Sequence, residues 1–384
     1  MRCFRTFLIS VSGKKDYGME KLLGQLLRLL ENGQKCALCS VIDREGSVPA
    51  PANAKLLVKE DGSIAGTIGG GALEADVQGL AHMVIKEQRP AIKKFDFGSE
   101  APEDSLQICG GRIGLFIEVI FPSATEKEFF SKVLEEIRCS RSVAVATAVE
   151  SSYRHSPPDG HRLLFNQQSI LAGSLVESRW NERVRAAASG LFDQDDPLYL
   201  ELESRPQDYP ALEGFLVEFI HPAPTLVVFG GGHIGRQLCS LGAMCGFRVE
   251  VVDDRAEFAG PERFPDAECT IHSDYTSVFD TLTIGSRHFL VSVTRCHATD
   301  SQVIEQAVRH KCAYIGMIGS RRKIRLLWEQ LEKKGVGREL LDRVHAPVGL
   351  DIRAETPKEI AVSIMAEIIR TRRSRKPEVR RQKI

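Results

Sequence analysis

Apolar positions first mark out a helix. Leu22, Leu23, Leu26, Leu27 and Leu30 form one stripe that ends at Gly33, the three-and-four spacing of an amphipathic helix. Period-two runs follow, and they come twice. Gly114-Leu115-Phe116-Ile117-Glu118-Val119-Ile120-Phe121-Pro122 matches Gly214-Phe215-Leu216-Val217-Glu218-Phe219-Ile220-His221-Pro222 at an offset of 100. Leu56-Leu57-Val58 and Ala65-Gly66-Thr67-Ile68 match Leu163-Leu164-Phe165 and Ala172-Gly173-Ser174-Leu175 at an offset of 107. The alternation predicts strands, and the offsets predict a diverged internal duplication. Beyond the linker at Pro222 to Pro224 the rhythm changes. Apolar strands at about 225–230, 248–253, 288–294 and 313–318 alternate with helical stretches, the pattern of a parallel sheet. A last helix opens at Thr356-Pro357-Lys358-Glu359, with the residues of a capping box and proline at the first helical position.

The expected fold class is therefore α/β. An N-terminal α/β region with the duplication occupies 1–124 and 125–222, a Rossmann-like parallel-sheet domain occupies 223–370, and a basic tail occupies 371–384. The copies are unequal. Copy one has Gly69-Gly70-Gly71 before a helix from Ala72 to about Lys86, and Cys109-Gly110-Gly111 before its last strand; copy two has Val176-Glu177-Ser178 and Tyr209-Pro210-Ala211 there. Copy one is expected to carry a site and copy two to support it.

Val227-Val228-Phe229-Gly230-Gly231-Gly232-His233-Ile234-Gly235 carries the strongest chemical signal. A strand feeds G-x-G-x-x-G and a helix follows from Arg236 to Cys245. Gly230 suits the tight turn, Gly232 a close phosphate and Gly235 close helix packing, while Asp253-Asp254 stand about twenty residues on. Gly69, Gly70 and Gly71 form a second strand-to-helix glycine loop, readable as an oxyanion cradle or as a tight left-handed turn. Cys109 is a candidate soft ligand or nucleophile. Cys36 and Cys39 read as buried structural thiols on opposite faces of a strand. After the third strand of the parallel sheet, His297 could serve as acid/base or anion donor, and Asp300 could orient it or cap the helix. After the fourth, Ser320 suits an N-cap. Arg321, Arg322 and Lys323 oppose the helix dipole and so point to a phosphate or an acidic partner.

Bulk composition narrows the class. With 51 basic and 51 acidic residues in 384, no net field recruits nucleic acid or a membrane. Eight of the 51 Lys and Arg residues lie in Arg370–Ile384, a solvated tail or a patch for an acidic partner. Phe7–Val11 is too short for a signal peptide core, and no apolar run reaches transmembrane length. Ten cysteines without such a signal imply reduced thiols in a cytoplasm.

Taken together, these stretches resemble the xanthine dehydrogenase accessory protein family of XdhC/CoxI type. The resemblance rests on Gly46-Ser47-Val48-Pro49, Lys55-Leu56-Leu57-Val58, Gly66 through Glu74 and Cys109-Gly110-Gly111. In the C-terminal half it rests on Phe229 through Gly235 with His233, Asp253-Asp254-Arg255, His297 with Asp300, Tyr314 through Lys323, and Pro347 through Ile352 with Glu355 through Ala361. The resemblance implies a chaperone that binds the molybdopterin-type molybdenum cofactor, supports its sulfuration with a cysteine desulfurase, and delivers it to a molybdenum hydroxylase apoenzyme. Such a protein is an accessory factor more than a catalyst, and a homodimer would help shield its ligand. The sequence departs from the family pattern at Ala72, where cysteine is usual, at Ala50–Ala54, and at Cys296 and Arg353, where glycine is usual. The cofactor is expected between the Gly69–Gly71 loop, Cys109 and the Gly230–Gly235 crevice, which would make molybdenum the metal that Cys109 contacts. The rival reading is an NAD(P)-dependent oxidoreductase using Gly230, Gly232, Gly235 and Asp253, with His297 as acid/base.

Overall fold

The computed structural model describes residues 7–10, 18–48, 50–51, 53–97, 111–150, 161–192, 195–373 and 379–384. The chain forms two compact units, residues 16–222 with 376–384, and residues 1–15 with 223–375. Strand β1 (Phe7–Ser10) belongs to the second unit.

The first unit opens with α1 (Gly18–Glu31), β2 (Cys36–Glu45), β3 (Lys55–Lys59), β4 (Ile64–Thr67), α2 (Gly71–Glu87), β5 (Ala91–Asp96) and β6 (Arg112–Ile120). Its strands form an antiparallel sheet in the order β4-β3-β2-β6-β5. There follow α3 (Ala124–Arg138), β7 (Val143–Glu150), β8 (His161–Phe165), β9 (Ile170–Leu175), α4 (Ser178–Ala188), β10 (Leu198–Glu201) and β11 (Leu212–Ile220). The second sheet runs β9-β8-β7-β11-β10, the same sequence of roles.

Cys36 and Leu38 face α1 and α3, whereas Ala37, Cys39 and Val41 face α2. Strand β2 is thus buried on both sides, so its central run lacks the polar alternation of a half-exposed strand. In the second sheet Val143 and Val145 join the α1 and α3 cluster, while Ala144, Ala146 and Ala148 pack under Trp180 and Val184 of α4. Helices α1 and α3 therefore form a shared apolar layer. Gly66 and Gly173 hold equivalent positions for one reason. Each has positive φ, and a Cβ on either would lie 2.3 or 2.2 Å from the carbonyl oxygen of Lys55 or Arg162.

Buried charges join the two sheets reciprocally. Lys55 on β3 donates to Glu218 on β11 at 2.7 Å and to Ser40 at 2.7 Å. Arg162 on β8 donates to Glu118 on β6 and to Glu126, and His161 lies 2.9 Å from the same Glu118 oxygen. Lys55 and Arg162 are 107 residues apart, Glu118 and Glu218 are 100 apart, so each half lends its cation to the other's carboxylate.

The second unit contains β12 (Thr225–Phe229), α5 (His233–Met244), β13 (Arg248–Asp253), β14 (Cys269–His272), β15 (His288–Ser292), α6 (His297–Ala307), β16 (Tyr314–Met317), α7 (Arg321–Lys333), α8 (Arg338–Leu341), β17 (Val344–His345) and α9 (Pro357–Arg372). The sheet order is β1-β14-β13-β12-β15-β16-β17, parallel apart from β1. From β14 to β17 this is the doubly wound order of a Rossmann sheet, whose switch point lies between β12 and β15. Apolar side chains of α9 cover one face and those of α6 and α7 the other. The capping box at Thr356 and Glu359 is formed.

The chain ends depart from the expected boundaries. Residues 7–10, assigned to copy one, pair antiparallel with β14 of the parallel sheet. The last strand, β18 (Arg380–Lys383), expected as a solvated tail, adds parallel to β10 of the second antiparallel sheet. Both strands satisfy the backbone groups of an otherwise open sheet edge, an attraction that four-residue polar or short apolar runs do not advertise.

Candidate functional site

The glycine loop after β12 divides its labour. A Cβ on Gly230, whose φ is +113°, would come within 2.5 Å of the Val293 carbonyl oxygen, and one on Gly235 within 1.9 Å of the Gly230 carbonyl oxygen. These two are glycine because backbone crosses backbone there. Gly232 is different: its φ is −71°, and nothing lies within 4 Å of a Cβ placed on it. It is the N-cap of α5 and carries no side chain to cap the helix. The first N–H groups of α5 thus have no side-chain cap beside an open flank, the arrangement in which a helix start receives an anion. His233, at the first helical position, is exposed.

Asp253 is fully buried, and its carboxylate is fully engaged. It accepts from the Gly231 N–H at 2.8 Å, the Arg255 N–H at 3.0 Å, and Arg255 Nε and Nη2 at 3.0 and 3.1 Å. Burial would raise its pKa, but the bonds from Arg255 and Gly231 outweigh it and hold the carboxyl below the ordinary value. Arg255 in turn stacks 3.6 Å from the Phe258 ring centre. Asp254 accepts two bonds from Arg295, at 2.6 and 2.8 Å. Its lone pairs thus go to the loop and to Arg255, at the position where the NAD(P) reading uses Asp253.

His297 and Asp300 do not form a pair through a described hydrogen bond. His297 is exposed at the start of α6, whereas Asp300 turns inward to accept from the hydroxyls of Ser292 at 2.7 Å and Thr294 at 2.6 Å. Burial keeps Asp300 above the ordinary carboxylate range despite those bonds. It caps the edge of β15 and does not orient an imidazole. Nor is it the N-cap of α6, a place taken by Cys296. That thiol is exposed and its pKa is lowered, first by the Thr299 hydroxyl and then by N–H groups of the helix start. Cys36 and Cys39 are buried, and burial pushes both thiols up to about 12. Iodoacetamide at neutral pH is therefore expected to alkylate Cys296 while leaving Cys36 and Cys39 intact until unfolding; peptide mass mapping would read the order.

Ser320 caps α7, accepting from Lys323 N–H at 3.4 Å. Arg321 and Arg322 are exposed, and Arg321 lines a cavity of about 310 Å³ with Ile324, Arg325, Trp328 and Arg338. Another stretch behind the resemblance is structural. A Cβ on Gly349 would lie 2.4 Å from Ser363 Oγ, and its N–H donates to Glu367 at 2.8 Å.

In the first unit, the Gly69–Gly71 loop already holds an anion, and it is the protein's own. Glu74 Oε1 accepts from the Thr67 hydroxyl, the Ile68 N–H at 3.1 Å and the Gly70 N–H at 2.9 Å. The Gly69 N–H donates to Thr67 Oγ1 at 3.2 Å. All three glycines have positive φ, so the tight-turn reading accounts for them. The second sheet repeats the brace without charge: Asn181 accepts from the Leu175 N–H at 2.8 Å and donates to Ser174 at 3.0 Å. Glu74→Ala is expected to cost about 1.5–3 kcal/mol in urea unfolding, and Glu74→Gln much less. Cys109 and Gly110 lie outside the described residues. Gly111 is fixed by packing, since its Cβ would fall 2.5 Å from the Ser47 carbonyl oxygen.

Sequence reasoning named Arg255 only within a motif, and it missed Arg295 and the bracing role of Glu74. For Glu74 a signal existed, because Thr67 and Glu74 fall on Ser174 and Asn181 at the same offset of 107. Among the described residues, no helix is long and apolar enough to cross a membrane.

A model described as the XdhC Rossmann domain matches residues 226–368, and one for the XdhC and CoxI family matches residues 29–96. The chain is 25% identical over 346 residues to the uncharacterized protein YqeB of Escherichia coli K12, covering 90% of this chain and 45% of YqeB. It thus spans less than half of that relative. It is 26% identical over 353 residues to a probable xanthine dehydrogenase subunit from Bacillus subtilis 168, covering 90% and 96% of the two chains. It is 23% identical over 348 residues to the molybdenum cofactor insertion chaperone PaoD of Escherichia coli K12, covering 89% and 85%. A crystal structure of a xanthine dehydrogenase from Bacillus halodurans superposes with a TM-score of 0.70 at 23% identity, covering 92% and 96%, a likeness of fold.

Proposed function

Because the chain belongs to the XdhC and CoxI family, we propose that it carries the molybdenum cofactor and delivers it to a xanthine dehydrogenase-type hydroxylase apoenzyme. The observation that carries this reading is the uncapped start of α5 at Gly232, where nothing lies within 4 Å of a Cβ and a ligand oxygen has room to approach. When bound, the cofactor supplies a phosphate at one end and a molybdenum–sulfur centre at the other. The residues present suit the phosphate. The start of α5 offers uncapped N–H groups, and the nearby carboxylates of Asp253 and Asp254 are each neutralised by an arginine. A phosphate there meets little uncompensated negative charge.

His233 and His297, exposed at the starts of α5 and α6, would add donors at the same end of the sheet, as would Arg321 and Arg322 at the start of α7. Cys296 is the described thiol best disposed to handle sulfur, and Cys109 is proposed as a further soft ligand. A cysteine desulfurase is the proposed sulfur source. The two antiparallel sheets are read as copies of one ancestral unit, on the strength of their common strand order and reciprocal ion pairs. The naming of PaoD as an insertion chaperone supports the reading from outside the chain.

The test is the molybdenum and pterin content of protein purified anaerobically from a cofactor-producing host. Near-stoichiometric pterin is expected; its absence from protein that is otherwise folded would overturn the proposal.

A further inference from the structure

We infer that the crevice at the glycine loop takes a ligand ending in a single phosphate and excludes one extended by adenylate, with the Asp254–Arg295 ion pair as the determinant. The inference rests on the reading of Gly232 as a phosphate cradle and narrows it to a ligand class. A dinucleotide on a sheet of this order starts at the strand beside the first. There a carboxylate takes the adenosine ribose, and the pyrophosphate then crosses the glycine loop toward the switch point. In this chain that neighbouring strand is β13, and neither carboxylate at its end is available. Asp253 has no exposed surface and four donors on its two oxygens. Asp254 is held by both ends of the Arg295 guanidinium, a bidentate geometry that fixes direction as well as distance.

The course of that pair matters as much as its partners. Asp254 follows β13 and Arg295 follows β15, and the two strands flank β12 on opposite sides. Their ends stand two strand spacings apart, roughly 10 Å, so the pair spans the edge of β12, from which the glycine loop departs. The loops after β12 and β15 also touch, since a Cβ on Gly230 would fall 2.5 Å from the Val293 carbonyl oxygen and 3.1 Å from Thr294 Cα. An adenylate running from β13 to β15 would have to displace the bar and break both Arg295 bonds, leaving Asp254 only the longer contact to Arg255 Nε at 3.8 Å. A lone phosphate at the start of α5 does neither.

The experiment titrates the whole chain with two fluorescent probes, flavin mononucleotide and flavin adenine dinucleotide, which differ by an adenylate. The mononucleotide is expected to bind saturably and the dinucleotide at least about tenfold more weakly. Asp254→Ala removes the bar but leaves Arg295 and the loop. It should bring the two affinities close together, since the charge that Arg295 regains acts on the phosphate of either probe. Equal affinities in the wild type would overturn the inference, as would a preference that survives Asp254→Ala. Gly232→Asp separates this from the underlying reading: if the mononucleotide binds neither protein, or binds both alike, the phosphate cradle itself falls.

Discussion

In Gly232→Asp, retained pterin and molybdenum are expected to fall to background while thermal stability holds or rises slightly. The two halves of that result come from the same geometry. With φ at −71° and nothing within 4 Å of a new Cβ, aspartate enters without strain. It stands at an N-cap, where it is at least as favourable as glycine, by a few tenths of a kcal/mol. Its carboxylate then sits where a phosphate oxygen would. Two like charges about 4 Å apart repel by about 4 kcal/mol at an effective dielectric of 20, close to three orders of magnitude in affinity. Substitution at Gly235 would be a poor test, because a Cβ 1.9 Å from a carbonyl oxygen would disturb the loop itself. A Gly232→Asp protein with the wild-type pterin load would remove the crevice from the proposal.

The largest stability effect is expected at the reciprocal ion pairs of the first unit. Glu118 is buried and faces both Arg162 and His161. Glu118→Ala would leave Arg162 with Glu126 alone and His161 without its carboxylate, at a cost of about 3 kcal/mol, read in denaturant unfolding. Replacing Glu118 and Arg162 together by Leu and Met should recover much of the loss, since the desolvation of both charges disappears with them. A loss under 1 kcal/mol would mean that the pair is wetter than the structure describes. Burial works to raise the Glu118 pKa, but Arg162 and His161 overcome it and hold the carboxyl down at about 2. The sign follows from that depression. The contribution is complete above the unfolded value near 4.5 and is lost as pH falls toward 2, so acid should unfold this unit through Glu118.

Much of the parallel-sheet unit was legible in the chain. The strands expected at 225–230, 248–253, 288–294 and 313–318 end within two residues of β12, β13, β15 and β16, because strands buried on both faces leave unbroken apolar runs between helical stretches. The glycines of the Rossmann loop were legible too, since each carries its steric reason in its spacing. What escaped was pairing at long range. Nothing local to Asp253 says that Gly231 and Arg255 will consume its oxygens, and nothing near Asp254 points 41 residues ahead to Arg295. Asp300 misled for a similar reason: its position suits a helix start, but the hydroxyls of Ser292 and Thr294 claim it. Glu74 was readable by comparison with Asn181, and only by that comparison.

The two terminal strands have a practical consequence for anyone who cuts this chain. The linker near Pro222 looks like a seam, yet β1 is upstream of it and completes the downstream sheet, while β18 is downstream and lines the edge of an upstream one. Neither half taken as a contiguous segment keeps all its strands. A single proteolytic nick between 222 and 225 should therefore leave two fragments that elute together on a sizing column and part only in denaturant. A tag or truncation at either end acts on a sheet built mainly from the other side of the seam.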